Sequence, residues 1–238
     1  MNFLICLILA SCLVYFGRDF IKNHSNICYA LTTILGIGLV IGSYTNFIWS
    51  LPHWMTVSII PILIKSTFAT ALFVIVMYTG AFKKGGKLIK FLMPIRAQLS
   101  IMACILTLAH NISFGRYYFI ALFTAPETLA LNSKIAACIS LVLIAIMIPL
   151  FITSFPSVRK SMKPKSWKKL QRLAYLFYGL VYAHVMVLMV PIAINGVKIY
   201  IINVLAYSVV FITYAVMRIR KAVLKKSSKS TRDVSKAV

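Results

Sequence analysis

Residues 134–155 have the sequence KIAACISLVLIAIMIPLFITSF, and residues 156–172, which follow them, have the sequence PSVRKSMKPKSWKKLQR. The first stretch is long and apolar enough to cross the hydrocarbon core of a bilayer, which takes about 20 residues of helix. The second stretch concentrates Lys and Arg, which are enriched in the cytoplasmic connections of membrane proteins. Together they predict a transmembrane helix that leaves the bilayer on its cytoplasmic side.

Apolar stretches of similar length recur along the whole chain, which is 61% hydrophobic and only 12% charged. The sequence therefore predicts an all-α polytopic membrane bundle of about seven transmembrane helices. The first of these stretches has no positive charge before it, which favours a membrane helix over a signal peptide. The predicted spans are residues 2–17, 27–49, 55–81, 97–120, 134–155, 173–193 and 198–217.

The basic residues alternate between the connections of the predicted helices. Every second connection is rich in Lys and Arg, whereas the connections between them are nearly bare. This distribution places the N-terminus outside and the C-terminus in the cytoplasm. The basic residues of the two long cytoplasmic connections are Lys83, Lys84, Lys87, Lys90, Arg96, Arg159, Lys160, Lys163, Lys165, Lys168, Lys169 and Arg172.

The helices and the C-terminal residues divide the chain into two parts. Residues 1–217 are predicted to form one transmembrane helical domain. Residues 218–238 are basic and too polar to bury a core, so we expect them to form a disordered cytoplasmic tail. The sequence contains no GxGxxG motif and no P-loop, so any chemistry is expected within the membrane domain.

The net charge of +23 arises from 26 Lys and Arg against only 3 Asp and Glu. Such an excess often indicates nucleic-acid binding. Here the basic residues stand in short connections beside apolar runs, which suits the anionic lipid of the cytoplasmic leaflet. We therefore expect membrane lipid as a partner and no nucleic acid. The cysteines show no CxxC spacing, so they are expected to pack in the bundle.

Two histidines stand at similar depth inside two predicted helices of the same direction. At 1.5 Å per residue, His110 lies about 20 Å and His184 about 17 Å from the cytoplasmic end of its helix. The Nε2 atom of an imidazole can ligate haem iron, and facing helices of a bundle often hold a haem. The pair therefore favours a haem ligated by both histidines over two separate core hydrogen bonds. Zinc would need further ligands, and none clusters with these histidines in the sequence.

Two cations are also expected at membrane depth, where charged side chains are costly and usually functional. Arg116 lies about 9 Å outward of His110 on the same helix, and Lys65 lies on the third helix at a depth close to that of the histidines. Either could neutralise the propionates of a haem, which are anionic. The alternative is that their side chains extend to the membrane surface.

The sequence around these residues resembles the ferric-reductase-like transmembrane family. The resemblance rests on Thr153-Ser-Phe-Pro-Ser-Val-Arg-Lys-Ser-Met and on the Trp-x-x-Leu-x-Arg-Leu-x-Tyr run of residues 167–175, which leads to His184. Arg96, Ser100 and His110 likewise resemble the family's earlier haem helix. The similarity covers about residues 55–193 and implies a six-helix core within 27–217, plus one further helix. The haem-binding membrane subunit of the bacterial periplasmic methionine sulfoxide reductase is the most similar member in size.

The family typically has two histidines on each of two helices and stacks two haems across the membrane. Gln171 stands 13 positions before His184, and Arg96 stands 14 positions before His110. Neither residue is a plausible haem ligand. The resemblance therefore implies one haem b, held by His110 and His184 in the outer half of the membrane.

The resemblance also implies a function. We expect a b-type cytochrome of the bacterial cytoplasmic membrane, acting as the electron-transfer membrane subunit of an oxidoreductase. A quinol is a candidate donor, and the acceptor would be an extracytoplasmic flavin or molybdenum protein, or a ferric chelate. Two alternatives remain open at this point. One is a channel or small-solute transporter with Lys65, Arg116 and His110 along a polar path, and the other is a haem-free membrane assembly subunit.

Overall fold

The structure is a computed structural model that describes residues 3–82 and 85–234. All regular secondary structure in these ranges is helical. The α-helices are α1 (Phe3–Asn23), α2 (Ser25–Tyr44), α3 (Phe47–Ser50), α4 (Ile60–Ile64), α5 (Thr67–Ala81), α6 (Lys87–Leu92), α7 (Arg96–His110), α8 (Arg116–Thr124), α9 (Leu131–Ile152), α10 (Pro156–Ser161), α11 (Pro164–Gln171), α12 (Leu173–Ile194) and α13 (Lys198–Val234).

Seven segments of this fold are long and apolar enough to cross a membrane. Within the described ranges, six of them are single helices or continuous runs of helices. The seventh is a pair of helical segments, Met55–Ile64 and Thr67–Ala81, bent by 47° at a short break. The prediction of an all-α multi-pass membrane bundle is therefore confirmed.

The bent span breaks at Lys65 and Ser66. Ser66 has a φ angle of 57°, in the left-handed region that ends a helix. Upstream of the break, Pro61 removes one backbone donor, and residues Met55–Ile59 form a π-helical turn. Because the helix stops at Lys65 and Ser66, the carbonyl groups at the end of α4 lack part of their usual helical partners.

Helix α5 is the centre of the bundle. It packs against α1, α7 and α13, and its side chains are buried on nearly every side. Around it the helices form two groups: α7 packs mainly on α2 and α5, whereas α12 packs mainly on α9 and α13. The boundary between α7–α8 and α9–α12 is therefore a seam between two helix groups.

Side-chain hydrogen bonds join the basic ends of several helices at one side of the bundle. Arg18 at the end of α1 donates from Nε to the carbonyl of Phe91 in α6, at 3.0 Å. Arg218 of α13 donates to the carbonyl of Gly80 at the end of α5, at 2.7 Å, and Nη2 donates to the hydroxyl of Tyr175 at the start of α12. These helix ends lie together, as the alternation of charge requires, and their assignment to the cytoplasm stays a prediction.

Helix α13 continues beyond the predicted end of the last span. We expected a disordered tail from residue 218, but the helix runs to Val234. No Gly or Pro follows Met217, and Ala, Leu, Lys and Arg have good helix propensity, so nothing in the sequence stops the helix at the membrane surface. Lys83, Lys84 and residues 235–238 lie outside the described residues, and the division into two domains stays a prediction.

Candidate functional site

A small cavity lies at the seam between the two helix groups, and both His110 and His184 line it. Its volume is about 80 Å³. The remaining lining is mostly aromatic and small, and it comes from the segment after α7, from α8, and from α9 and α12: Asn111, Phe114, Gly115, Tyr118, Phe119, Ser133, Ala136, Ala137, Ser140 and Leu188. The structure thus brings together the two histidines that are 74 positions apart in the sequence.

The broken span orients His110. The Nδ1 atom of His110 lies 2.6 Å from the carbonyl oxygen of Ile64, the last residue of α4. That carbonyl is available because the helix breaks at the next two residues. The His110 ring also stacks on Phe114, with centroids 5.8 Å apart and an angle of 17° between the planes.

Helix α9 orients His184 in a similar way. The Nδ1 atom of His184 lies 3.2 Å from the carbonyl oxygen of Ala136 and 3.2 Å from the hydroxyl oxygen of Ser140. Ala136 and Ser140 are four residues apart, so both belong to the same face of α9. This face and His184 meet because α9 packs along α12.

These contacts determine the tautomer of both histidines. A carbonyl oxygen can only accept a hydrogen bond, so each Nδ1 must carry the proton and donate it. Each Nε2 then keeps its lone pair. Among the described residues neither Nε2 has a hydrogen-bond partner. A backbone carbonyl behind Nδ1 is the usual arrangement around a metal-ligating histidine.

The backbone after His110 widens into a π-helical turn at Asn111–Gly115 before α8 begins. Such turns are rare and frequently occur at functional sites. Gly115 allows close approach here, because a Cβ at this position would lie 2.9 Å from the ring of Phe119. The turn therefore places three aromatic side chains, Phe114, Tyr118 and Phe119, around the cavity.

Arg116 and Lys65 lie near this site but do not line its cavity. The Arg116 guanidinium lies 4.0 Å from the centroid of the Tyr44 ring on α2. Lys65 is exposed at the helix break, in the residue next to Ile64. Their predicted role beside haem propionates stays a prediction.

The two positions where the family pattern would have inner histidines make structural contacts instead. Arg96 donates from Nε to the carbonyl of Val76, at 3.1 Å. Gln171 donates to the hydroxyl of Thr153, at 3.2 Å, and Trp167 donates to the carbonyl of the same residue, at 3.1 Å. These bonds fasten α11 to the end of α9 and α7 to α5.

The donor set fits a haem better than it fits a closed metal site. Within residues 3–82 and 85–234 there is no group of three or more His, Cys, Asp or Glu side chains that could hold a metal ion. Two neutral imidazoles with free Nε2 atoms are the ligands that a bis-histidine haem needs. The volume of about 80 Å³ is below the range of about 300–1,000 Å³ for cofactor sites, so the cavity as it stands would admit a macrocycle only if its aromatic lining moved.

Sequence reasoning missed the residues that orient the histidines. Ser140 could have been found, because it is a hydroxyl inside an apolar span. The carbonyls of Ile64 and Ala136 carry no sequence signal of their own, although the unusual Lys65 marks the break that frees the first of them.

Comparison with known proteins identifies the family. Residues 66–183 match the family described as "Ferric reductase like transmembrane component". The transmembrane core belongs to the ferric-reductase-like family. The match begins at the helix break and ends one residue before His184, so it covers α5 to α11 and the first half of α12. It confirms the resemblance inferred from the sequence, while the narrower likeness to the methionine sulfoxide reductase subunit stays a prediction.

A relative of this ferric-reductase-like chain occurs in Treponema pallidum (strain Nichols) and is described as an uncharacterized protein. The two are 37% identical over 182 residues, which cover 74% of this chain. The chain spans 48% of the length of that relative. No solved structure matches the chain.

Proposed function

We propose that this chain is a b-type cytochrome that passes electrons across the membrane through one haem, held by His110 and His184, to an acceptor outside. The observation that supports this most directly is that both imidazoles line one cavity, with each Nδ1 engaged by a backbone carbonyl and each Nε2 without a partner. Family membership supports the coarser function, a ferric-reductase-like transmembrane component.

In this proposal the chain ligates and orients, and a bound haem supplies the one-electron redox chemistry. The carbonyls of Ile64 and Ala136 hold the imidazole rings and make their Nε2 atoms more basic. Phe114, Tyr118 and Phe119 keep water from the site. Lys65, at the helix break, and Arg116, at the end of the π-helical turn, would neutralise the propionates.

The electron donor in this proposal is a quinol or a membrane partner. The inner-half positions Arg96 and Gln171 are engaged in hydrogen bonds that join helices. A single haem in the outer half therefore has no second haem on its cytoplasmic side. It must accept electrons from a donor within the membrane. The acceptor is an extracytoplasmic flavin or molybdenum protein, or a ferric chelate.

The test is a reduced-minus-oxidised visible spectrum of the purified full chain after haem-replete expression, with haem quantified per chain. We expect a b-type spectrum and about one haem per chain, because the two imidazoles supply both axial ligands. His110→Ala and His184→Ala should each abolish it. The matched controls are His24→Ala and His53→Ala, which remove exposed histidines away from the cavity and should leave the spectrum unchanged. A protein that binds no haem under these conditions contradicts the proposal.

One observation favours a second function, a small-solute transporter. Broken membrane helices are frequent at transporter substrate sites, and the span containing Lys65 is broken at that residue. Here, however, a carbonyl at the break accepts the hydrogen bond of His110. The transporter would be supported instead if the protein binds no haem and carries a solute across reconstituted vesicles, and if Lys65→Gln abolishes that flux. A haem-free chain that still binds a partner protein would indicate the assembly subunit.

A further inference from the structure

A second and much larger hollow lies away from the histidines, between α1, α5 and α6. It is a groove of about 1130 Å³ whose lining is almost entirely apolar. Residues of α1 such as Leu7 and Val14 form one wall, and Val74 of α5 and Phe82, which follows α5, form the other. Val210 of α13 also contributes to the lining.

The groove occupies the half of the bundle that the charge distribution assigns to the cytoplasmic leaflet. Leu88 and Phe91 of α6 line it at the end where the basic connections meet. From Val74 to Ala81, α5 rises about 10 Å at 1.5 Å per residue, which is a large part of one leaflet of a core about 30 Å thick. The groove therefore runs along the direction in which lipid chains lie.

Its cytoplasmic mouth is cationic. Lys87 lines the groove there, and Lys90 is exposed three residues later on the same short helix. Within the described part of the chain, the Lys87 ammonium has neither a hydrogen bond nor an ion pair. Arg18 contacts a lining residue at this end, because its Nε donates to the Phe91 carbonyl at 3.0 Å and its guanidinium lies 4.9 Å from the Phe91 ring. Asp19 forms its ion pair with Arg18.

We propose that this groove binds an anionic phospholipid of the cytoplasmic leaflet, with an acyl chain along the apolar walls and the phosphate at Lys87. Both parts of the groove match the chemistry of such a lipid. Basic pockets between membrane helices on the cytoplasmic side are suited to anionic headgroups, and the apolar walls suit the acyl chain. The Tyr78 hydroxyl, a polar group in the wall, already donates its proton to the Val210 carbonyl at 2.6 Å, so that proton is not available to a quinone carbonyl. This inference does not depend on the haem.

The test measures lipid retention by the full chain. The protein is reconstituted in nanodiscs of equal parts phosphatidylglycerol and phosphatidylcholine, extracted in mild detergent, and analysed by native mass spectrometry. We expect one phosphatidylglycerol to remain bound in preference to phosphatidylcholine. Lys87→Gln should lower its retention about fivefold, since one Lys near the surface contributes about 1 kcal/mol to anionic lipid binding.

Two further variants distinguish lipid binding in the groove from a general attraction of anionic lipid to the positive charge of the protein. Lys198→Gln removes an exposed lysine at the opposite end of the bundle and should change nothing. Ser11→Trp places an indole inside the groove and should expel the acyl chain while all cations remain. Equal retention of the two lipids, an equal effect of Lys87→Gln and Lys198→Gln, or a bound quinone that competes with the lipid and is lost in Ser11→Trp would each overturn the proposal.

Discussion

Replacing Ser140 by Ala tests whether the contacts behind His184 prepare it as a ligand. The variant removes one of two acceptors of the His184 Nδ1 proton, the hydroxyl at 3.2 Å, and leaves the Ala136 carbonyl at 3.2 Å. Losing a partner of a metal-ligating histidine typically weakens binding by about 10–100-fold. Because one acceptor remains, we expect the lower end of that range, about tenfold or 1.4 kcal/mol.

The assay is the rate of haem transfer from the purified protein to an excess of apoglobin, followed in the visible spectrum. Ser133→Ala is the matched control, because Ser133 lines the same cavity and makes no hydrogen bond to either histidine among the described residues. Ser140→Ala should release haem faster than the unmodified protein, and Ser133→Ala should not. Equal rates in all three proteins would refute the idea that Ser140 supports the ligand.

Three further predictions concern stability, each measured as the shift of the thermal unfolding midpoint in one detergent. Tyr78→Phe should lose about 0.6 to 1.7 kcal/mol, since it removes the buried hydrogen bond to the Val210 carbonyl, whereas Tyr117→Phe, at a residue that is 63% exposed, should have no effect. Gly42→Ala should destabilise the protein by about 1–3 kcal/mol, because the new Cβ would lie 2.7 Å from the Ile48 side chain. In the control Gly38→Ala the new Cβ meets no neighbour within 4 Å, so this variant should stabilise the helix slightly. Ser113→Ala should be neutral or stabilising, because its hydroxyl is buried and has no partner in the described residues. The opposite sign in any of the three variants would contradict the packing described for it.

Much of the fold was predictable because a bilayer constrains helices strongly. Every backbone group at membrane depth must be bonded within its helix, so length and hydropathy suffice to find the spans. The broken third span shows the limit of this reasoning. Its residues are as apolar as those of its neighbours, and the break at Lys65 and Ser66 depends on backbone geometry that hydropathy does not report. The extent of α13 was also missed, because polar composition was taken as a sign of disorder although the residues favour helix.

The residue types of the site and their depth in the membrane were predictable from the sequence. The arrangement of these residues around one cavity was not. A histidine inside an apolar run is visible in the sequence, and the rise of a helix gives its level in the membrane. Whether two such residues face each other depends on the rotation of their helices. That rotation is set by packing between α7, α9 and α12, which no single segment encodes.

The sequence by itself therefore determined the membrane class, the spans, the alternation of charge and the two histidines at membrane depth, since each follows from local composition along one helix. Only the tertiary structure decided that His110 and His184 share one cavity and that their Nδ1 atoms meet the carbonyls of Ile64 and Ala136. It also decided that the Arg116 guanidinium lies over the ring of Tyr44. These contacts join residues from different helices, and their geometry arises from how the helices pack together rather than from the pattern within any one of them.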